Sequence, residues 1–196
     1  MQSLRLRTVP YDGASALYAR VERDFPTPAE RPPLTTFRRY VRTGASEAFD
    51  VLADGQSAAY AVCTWGERCV LCSFLAVEPE LRGQGVGSAV LELLAALYVG
   101  SDALIVEVER PELASCESDR LHRERRIAFY ERAGFTLAHG LDYAIWGVPM
   151  HLMARPLSPA FDPASLPNEM RVVYSRLFPP RLMHKLQMRT LDGADA

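Results

Sequence analysis

The sequence predicts an α+β fold in which antiparallel N-terminal strands are followed by a parallel strand–helix–strand half. Three observations carry this. Asp54–Gly55 joins two strand-forming runs, "AFDVLAD" and "SAAYAVCTW", as a tight hairpin. A third run, "RCVLCSFLAV", follows Gly66 and extends the hairpin into a three-stranded antiparallel meander. An apolar helical pattern over Gly87–Tyr98 then precedes the β-branched "ALIVEVE". That order is a crossover, so the strands on either side of the helix should be parallel neighbours.

The remaining elements follow from local chemistry. "LRLRTV" is a first short strand, and a polar helix is expected over Gly13–Asp24, ending before Pro26 and Pro28. The turn "FPTPAERPPL" is too rich in proline for a helix interior or a central strand, and a second helix over Leu34–Arg42 stops at Gly44. After the crossover, "PELASCESDRLHRE" is expected as a polar loop and "RRIAFYERAGF" as a short helix capped at Gly134. Two further strands are placed at Thr136–Trp146 and Pro149–Ala154.

From Pro156 the composition changes, with Pro159, Pro163 and Pro167 close behind. The expected organisation is therefore a domain over residues 1–155 and a C-terminal appendage over 156–196. In the appendage, Met170, Val173, Tyr174 and Leu177 fall on one face of a helix over Asn168–Phe178. That face is expected to pack on this domain or on a partner subunit, which leaves a homodimer open. A basic helical piece after Pro179–Pro180 and a frayed end complete the expectation.

Composition bounds the function. A chain of 196 residues that is 48% hydrophobic and 23% charged can build an ordinary core, and a formal net charge of −2 gives no overall pull toward nucleic acid or an anionic membrane. The N-terminus lacks the apolar run of a signal peptide, and the most apolar helix carries Glu92 and is too short for a bilayer. A cytoplasmic protein is expected. Cys69 and Cys72 have zinc-like spacing, but on a strand they point to opposite faces, so buried thiols are expected instead. His122, His139, His151 and His184 show no ligand spacing, and no metal is assigned.

The segment with the strongest chemical content is "LAVEPELRGQGVGSAVLELL", where three glycines in five positions lead into the helix. A P-loop would need a lysine after its last glycine, and here Gly87 is followed by Ser88–Ala89. A dinucleotide-binding turn would need a third glycine that no registration of Gly83, Gly85 and Gly87 supplies, although Glu107 lies at about the spacing of a ribose-binding acid. An R-x-x-G-x-G turn (Arg82, Gly85, Gly87) suits a pyrophosphate: bare backbone lets amide groups converge, and the helix N-terminus adds more of them. The competing reading is a tight connection with glycines chosen for backbone shape.

"FLAVEPELRGQGVGSAVLELL" resembles the acetyl-CoA-binding motif of the GCN5-related N-acetyltransferase (GNAT) superfamily, and "RRIAFYERAGF" resembles that family's following helix with its tyrosine. The likeness in element order spans roughly residues 4–155. It implies a GNAT-like fold whose splayed parallel strands form an acetyl-CoA cleft. Backbone groups of Leu75, Ala76 and Val77 would pair with the pantetheine, and Arg82, Gly83, Gln84, Gly85, Val86, Gly87 and Ser88 would form the pyrophosphate turn. Tyr130 matches the family's general acid. One departure is Arg123, seven residues before that tyrosine, where members often carry an asparagine that contacts pantetheine.

Acetyl transfer to an amine requires a proton for the departing thiolate and an acceptor for the amine's proton. A phenol stays protonated at neutral pH and can donate. Glu107 and Glu109, two apart on a strand, share a face and are candidates to bind a cationic amine and to take its proton through water; Glu78 is a third candidate. Glu30–Arg31 is a further candidate for the acceptor side. The expected activity is acetyl-CoA-dependent N-acetylation of a primary amine by direct attack in a ternary complex. The alternative is a non-catalytic acyl-CoA-binding or regulatory module with the same fold, and a dehydrogenase is a more distant one.

Overall fold

The structure, a computed structural model, describes residues 3–191. Contacts divide the chain into two compact units: one formed by the chain through Trp65 together with Cys72–Leu97, the other by Gly66–Leu71 and the chain from Tyr98 on.

In the first unit, β1 (Leu4–Thr8) pairs antiparallel with β2 (Glu47–Ala53), and β2 pairs antiparallel with β3 (Gln56–Trp65). The next neighbour is β4 (Val70–Val77), which begins in the second unit and ends in the first. The hairpin turn is the expected one: Asp54 and Gly55 both have positive φ, 49° and 84°, which a two-residue turn of matching twist demands. Helices α1 (Ala14–Asp24) and α2 (Leu34–Thr43) bury Leu17, Tyr18, Val21 and Phe37 in a core shared with Ala48, Tyr60, Val62 and Phe74. Each large side chain so buried contributes roughly 1.5–3 kcal/mol. Helix α3 (Val86–Leu97) buries Val90, Leu91 and Leu94 and lies against β1 and β3.

In the second unit, the start of β4 pairs with β5 (Ala103–Glu109) in parallel, Val70 with Leu104 and Leu71 with Ile105, and that register ends there. The expected crossover is present. Strand β5 then pairs antiparallel with β8 (Val148–Pro156), Glu107 lying opposite Leu152. Strand β6 (Thr136–Leu137) also pairs with β8, and β7 (Leu141–Ile145) pairs antiparallel with both β8 and β9 (Leu186–Thr190).

The polar stretch after β5 departs from expectation. Helix α4 runs over Glu117–Arg132, sixteen residues, where a loop and a short helix were expected. Its first turns have no apolar stripe to reveal them. They are held by pairs one turn apart: Arg120 with Glu117 and Glu124, and Arg123 with Asp119.

The proline-rich segment leads to α5 (Leu166–Leu177), whose Met170, Val173, Tyr174 and Leu177 are all buried as the periodicity required. The piece after Pro179–Pro180 is a short 3-10 segment, Pro180–Lys185, and then β9, rather than a second helix. An open sheet partner, β7, outweighs the local preference. The frayed end expected at the C-terminus falls on residues 192–196, outside the described residues.

Candidate functional site

The glycine turn lies wholly in the first unit. A short 3-10 segment, Pro79–Leu81, follows β4, and the chain reaches α3 through Arg82–Gly85. Gly83 and Gly85 have φ of 75° and 81°, the left-handed region, and a Cβ built on either meets nothing within 4 Å. The turn therefore needs glycine for its backbone, and the space beyond that backbone is open. Along Gly83, Gln84, Gly85, Val86, Gly87 and Ser88, no amide donates to a backbone carbonyl among the described residues; the first bond of the helix is Ala89 N to Gly85 O, 3.1 Å. A row of unpaired amides at a helix N-terminus has the donors that an anion could accept from.

Arg82 has a second employment. Its Nε donates to the Val77 carbonyl at 3.0 Å, and its Nη2 reaches Asp24 at 2.9 Å. Asp24 also takes Arg23 at 2.7 Å and the Tyr60 hydroxyl at 3.2 Å. Burial opposes ionisation of Asp24, yet Arg23, Tyr60 and Arg82 together hold its carboxyl below the ordinary range. Burial and the Asp24 carboxylate push the Tyr60 phenol up, so it stays a donor. Arg82 thus ties the end of β4, after Leu75 and Ala76, to the end of α1, and the turn presents amides rather than an unshared cation.

The three candidate carboxylates meet different surroundings. Both oxygens of Glu78 are taken by guanidinium groups, Arg20 at 2.7 Å and Arg23 at 2.8 Å. Both oxygens of Glu109 are taken likewise, by Arg123 at 3.1 Å and Arg126 at 3.2 Å. Glu107 has no cationic partner among the described residues. Its Oε1 accepts from the hydroxyls of Tyr143 and Tyr174, the latter at 2.8 Å, and its Oε2 accepts nothing among the described residues. Burial raises the Glu107 carboxyl above the ordinary carboxylate value, and the two phenols pull it back only in part. Burial and the neighbouring Glu107 push the Tyr143 phenol well up, which keeps it a donor.

Tyr130 sits in the last turns of α4, 8% exposed, with its ring 5.0 Å from Phe129 and 5.3 Å from Phe135. Its carbonyl closes the helix by accepting from Ala133 and Phe135 at 3.0 Å each, so the "AFYERAGF" run fixes the ring's place. Arg123 is knitted into its own unit through Asp119, Glu109 and the Arg110 carbonyl. Arg31 closes its loop on the Phe25 carbonyl and the Tyr18 hydroxyl, and Glu30 is exposed. Tyr143 and Tyr174 were not read as site residues from the sequence. The available signal was a tyrosine on an otherwise apolar helix face, because a buried phenol needs a partner for its hydroxyl.

Cys63, Cys69 and Cys72 are buried free thiols and Cys116 is an exposed one. Burial and the nearby Glu169 push the Cys69 thiol up to about 12. Among the described residues no group of three or more His, Cys, Asp or Glu is placed to hold a metal, and no helix is long and apolar enough to cross a membrane.

A family model described as an acetyltransferase (GNAT) domain matches residues 46–137, which include the glycine turn, Glu107 and Tyr130. No curated protein sequence matches the chain. Among solved structures, a GNAT-family acetyltransferase from Bacteroides thetaiotaomicron is 21% identical with a TM-score of 0.65, covering 87% of this chain and 94% of that one. The ribosomal-protein-S18-alanine N-acetyltransferase from Escherichia coli is 24% identical with a TM-score of 0.59, covering 82% and 97%. A Bacillus subtilis acetyltransferase in complex with CoA is 16% identical with a TM-score of 0.57, covering 80% and 100%. At these identities the structures speak for the fold: the chain has the fold of GNAT acetyltransferases, and its residues 46–137 match that family's domain model.

Proposed function

We propose that the protein is an acetyl-CoA-dependent N-acetyltransferase acting on a primary amine by direct attack in a ternary complex. The observation that carries the reading is the turn: left-handed glycines in open space, running into α3 with unpaired amides. The residues fit a pyrophosphate, and Gly83–Ser88 would hold it through backbone amides. Leu75, Ala76 and Val77 would offer strand-like pairing to the pantetheine, with Arg82 bracing the Val77 carbonyl. When bound, acetyl-CoA supplies an activated thioester, a carbonyl carbon joined to a good leaving sulfur.

The chain's own contribution is proton traffic. The attacking nitrogen must be neutral, and it must lose a proton as its bond to carbon forms and the carbon–sulfur bond breaks. Glu107 is assigned as the acceptor of that proton, through Oε2 directly or across one water. A carboxyl raised by burial is a stronger base than an ordinary one, which favours general base catalysis. Glu78 and Glu109 have both oxygens committed to arginines, which leaves them structural and electrostatic roles. Tyr130 is assigned as the donor of a proton to the departing sulfur. A partly buried carboxylate with no cation of its own also favours a cationic acceptor.

The test has two stages. Acetyl-CoA should raise the melting temperature as RT ln(1 + [L]/Kd), and more than NAD does at equal concentration. An amine panel (amino acids, polyamines, aminoglycosides, N-terminal peptides) is then screened by release of free thiol. No thermal shift at millimolar acetyl-CoA sinks the coenzyme assignment. A shift without turnover on any amine makes the protein an acyl-CoA-binding module.

A further inference from the structure

We propose that Tyr174, on the C-terminal helix α5, is a positioning residue for Glu107: its hydroxyl, with that of Tyr143, fixes the carboxylate through Oε1 and turns Oε2 toward proton transfer. The inference rests on the reading of Glu107 as the base. It assigns the segment after residue 156 a part in the chemistry.

Two donors on one oxygen are a specific arrangement. Tyr143 is 1% exposed and Tyr174 7% exposed, and each spends its hydroxyl on Oε1 of Glu107. A carboxylate held by one oxygen cannot rotate without breaking both bonds, so the second oxygen keeps a fixed direction. Other contacts pin α5 in the register that delivers Tyr174. Glu169, five residues earlier and 4% exposed, accepts from the amides of Glu67, Arg68 and Cys69 at 2.8, 3.1 and 3.0 Å. A Cβ at Gly66 would fall 2.2 Å from a Glu169 oxygen, so the loop backbone lies directly on that carboxylate. Arg176, two residues later, donates to the Gly66 carbonyl at 3.1 Å. The Tyr174 ring packs on Phe178 at 4.8 Å, and Phe178 on Trp146 at 5.2 Å. Sliding or turning α5 forfeits all of these together.

The charged surroundings of Glu107 are few. On its own strand, Glu109 is neutralised by Arg123 and Arg126 of α4. Strand β8 opposes it with Leu152, and the adjacent His151 faces Glu112 at 3.4 Å. Strand β7 supplies Tyr143 and α5 supplies Tyr174. Its ionisation is therefore set by burial, which disfavours the charge, against two phenol donors, which favour it. Deleting one donor must move the carboxyl further up.

Tyr174→Phe removes the hydroxyl and keeps the ring. In enzyme carrying 13C-labelled glutamate, the Glu107 carboxyl resonance, identified by its loss in Glu107→Gln, should titrate about one pH unit higher in Tyr174→Phe, given the usual strength of a hydrogen bond to a charged group. With an amine from the panel, the acid limb of kcat/KM should rise by the same amount, so activity lost at neutral pH returns at higher pH. A purely structural Tyr174 would lower the melting temperature or depress the rate evenly, with neither titration moved. In the wild-type protein the Tyr174 ring-carbon resonance should also follow the Glu107 midpoint, which holds the test open should the variant not fold. An unmoved Glu107 in Tyr174→Phe, or a Tyr174 resonance blind to Glu107 in the wild type, overturns the inference while loss of rate in Glu107→Gln keeps the base reading. A wild-type rate in Glu107→Gln removes the base reading and the inference with it.

Discussion

Replacing Gly85 with alanine separates two roles that one glycine can combine. Gly85 has φ of 81° and an added Cβ meets nothing within 4 Å, so the methyl collides with no protein atom. In the unliganded protein its cost is the left-handed backbone alone, roughly 1–2 kcal/mol. At about 2–4 °C per kcal/mol for a chain of this size, the melting temperature should fall by ~2–8 °C. Gly44, with φ of 70° and equally open space at the end of α2, is the matched control: its alanine variant bears the same strain away from the turn. The coenzyme distinguishes the two. A methyl standing where phosphate oxygens must approach displaces at least one charge-assisted hydrogen bond, about 1.5–3 kcal/mol. Titration calorimetry should therefore show CoA bound roughly ten- to a hundred-fold more weakly by Gly85→Ala and unchanged by Gly44→Ala. If Gly85→Ala loses stability as expected but binds CoA like the wild type, the glycine serves chain geometry only and the turn is not the phosphate site.

Two other outcomes are expected. Tyr130→Phe should lower kcat by ~10²–10⁴-fold with CoA affinity retained, since only a hydroxyl is lost; an unchanged kcat under rate-limiting chemistry returns Tyr130 to packing between Phe129 and Phe135. Acid should unfold the protein partly through Asp50, which burial opposes but Ser57, Arg20 and Arg7 hold below the ordinary carboxylate value of 3.8. A depressed carboxyl contributes stability that is complete above the unfolded value and lost as pH falls through the folded one. The melting temperature of the wild type should therefore drop below about pH 4 more steeply than that of Asp50→Asn, and parallel curves would refute the assignment.

The parts of the fold that were legible in the sequence are those where a local rule and the tertiary outcome agree. Asp54–Gly55 demanded a two-residue hairpin and makes one; the β-branched run of β5 and the apolar face of α5 likewise pointed to their final states. Helix α4 was half hidden because charge pairs, not apolar spacing, stabilise its first turns. Strand β9 was hidden because the edge of β7, not its own composition, makes it a strand. The glycine turn and Tyr130 were readable because each depends on a contiguous stretch. The tyrosine pair on Glu107 was not, since Tyr143 and Tyr174 come from elements 36 and 67 residues away in the chain.

The same distinction separates the surroundings of three glutamates that the sequence left level. Residue type and position near a strand end are common to Glu78, Glu107 and Glu109; what differs is who occupies their lone pairs. At Glu78 and Glu109 each oxygen faces an arginine. Phenol donors on one oxygen stabilise the charge less and leave the other oxygen available, as at Glu107. Burial without a cation then sets the proton affinity of Glu107 above that of an ordinary carboxyl. Removing an arginine should accordingly not convert Glu109 into a second base. Arg126→Gln leaves Arg123 on the other oxygen. In a Glu107→Gln background it should restore no activity at any pH, because Glu109 would still face a cation; recovery of a base-dependent limb in that double variant would show that a free oxygen alone, and not burial without a cation, makes the base.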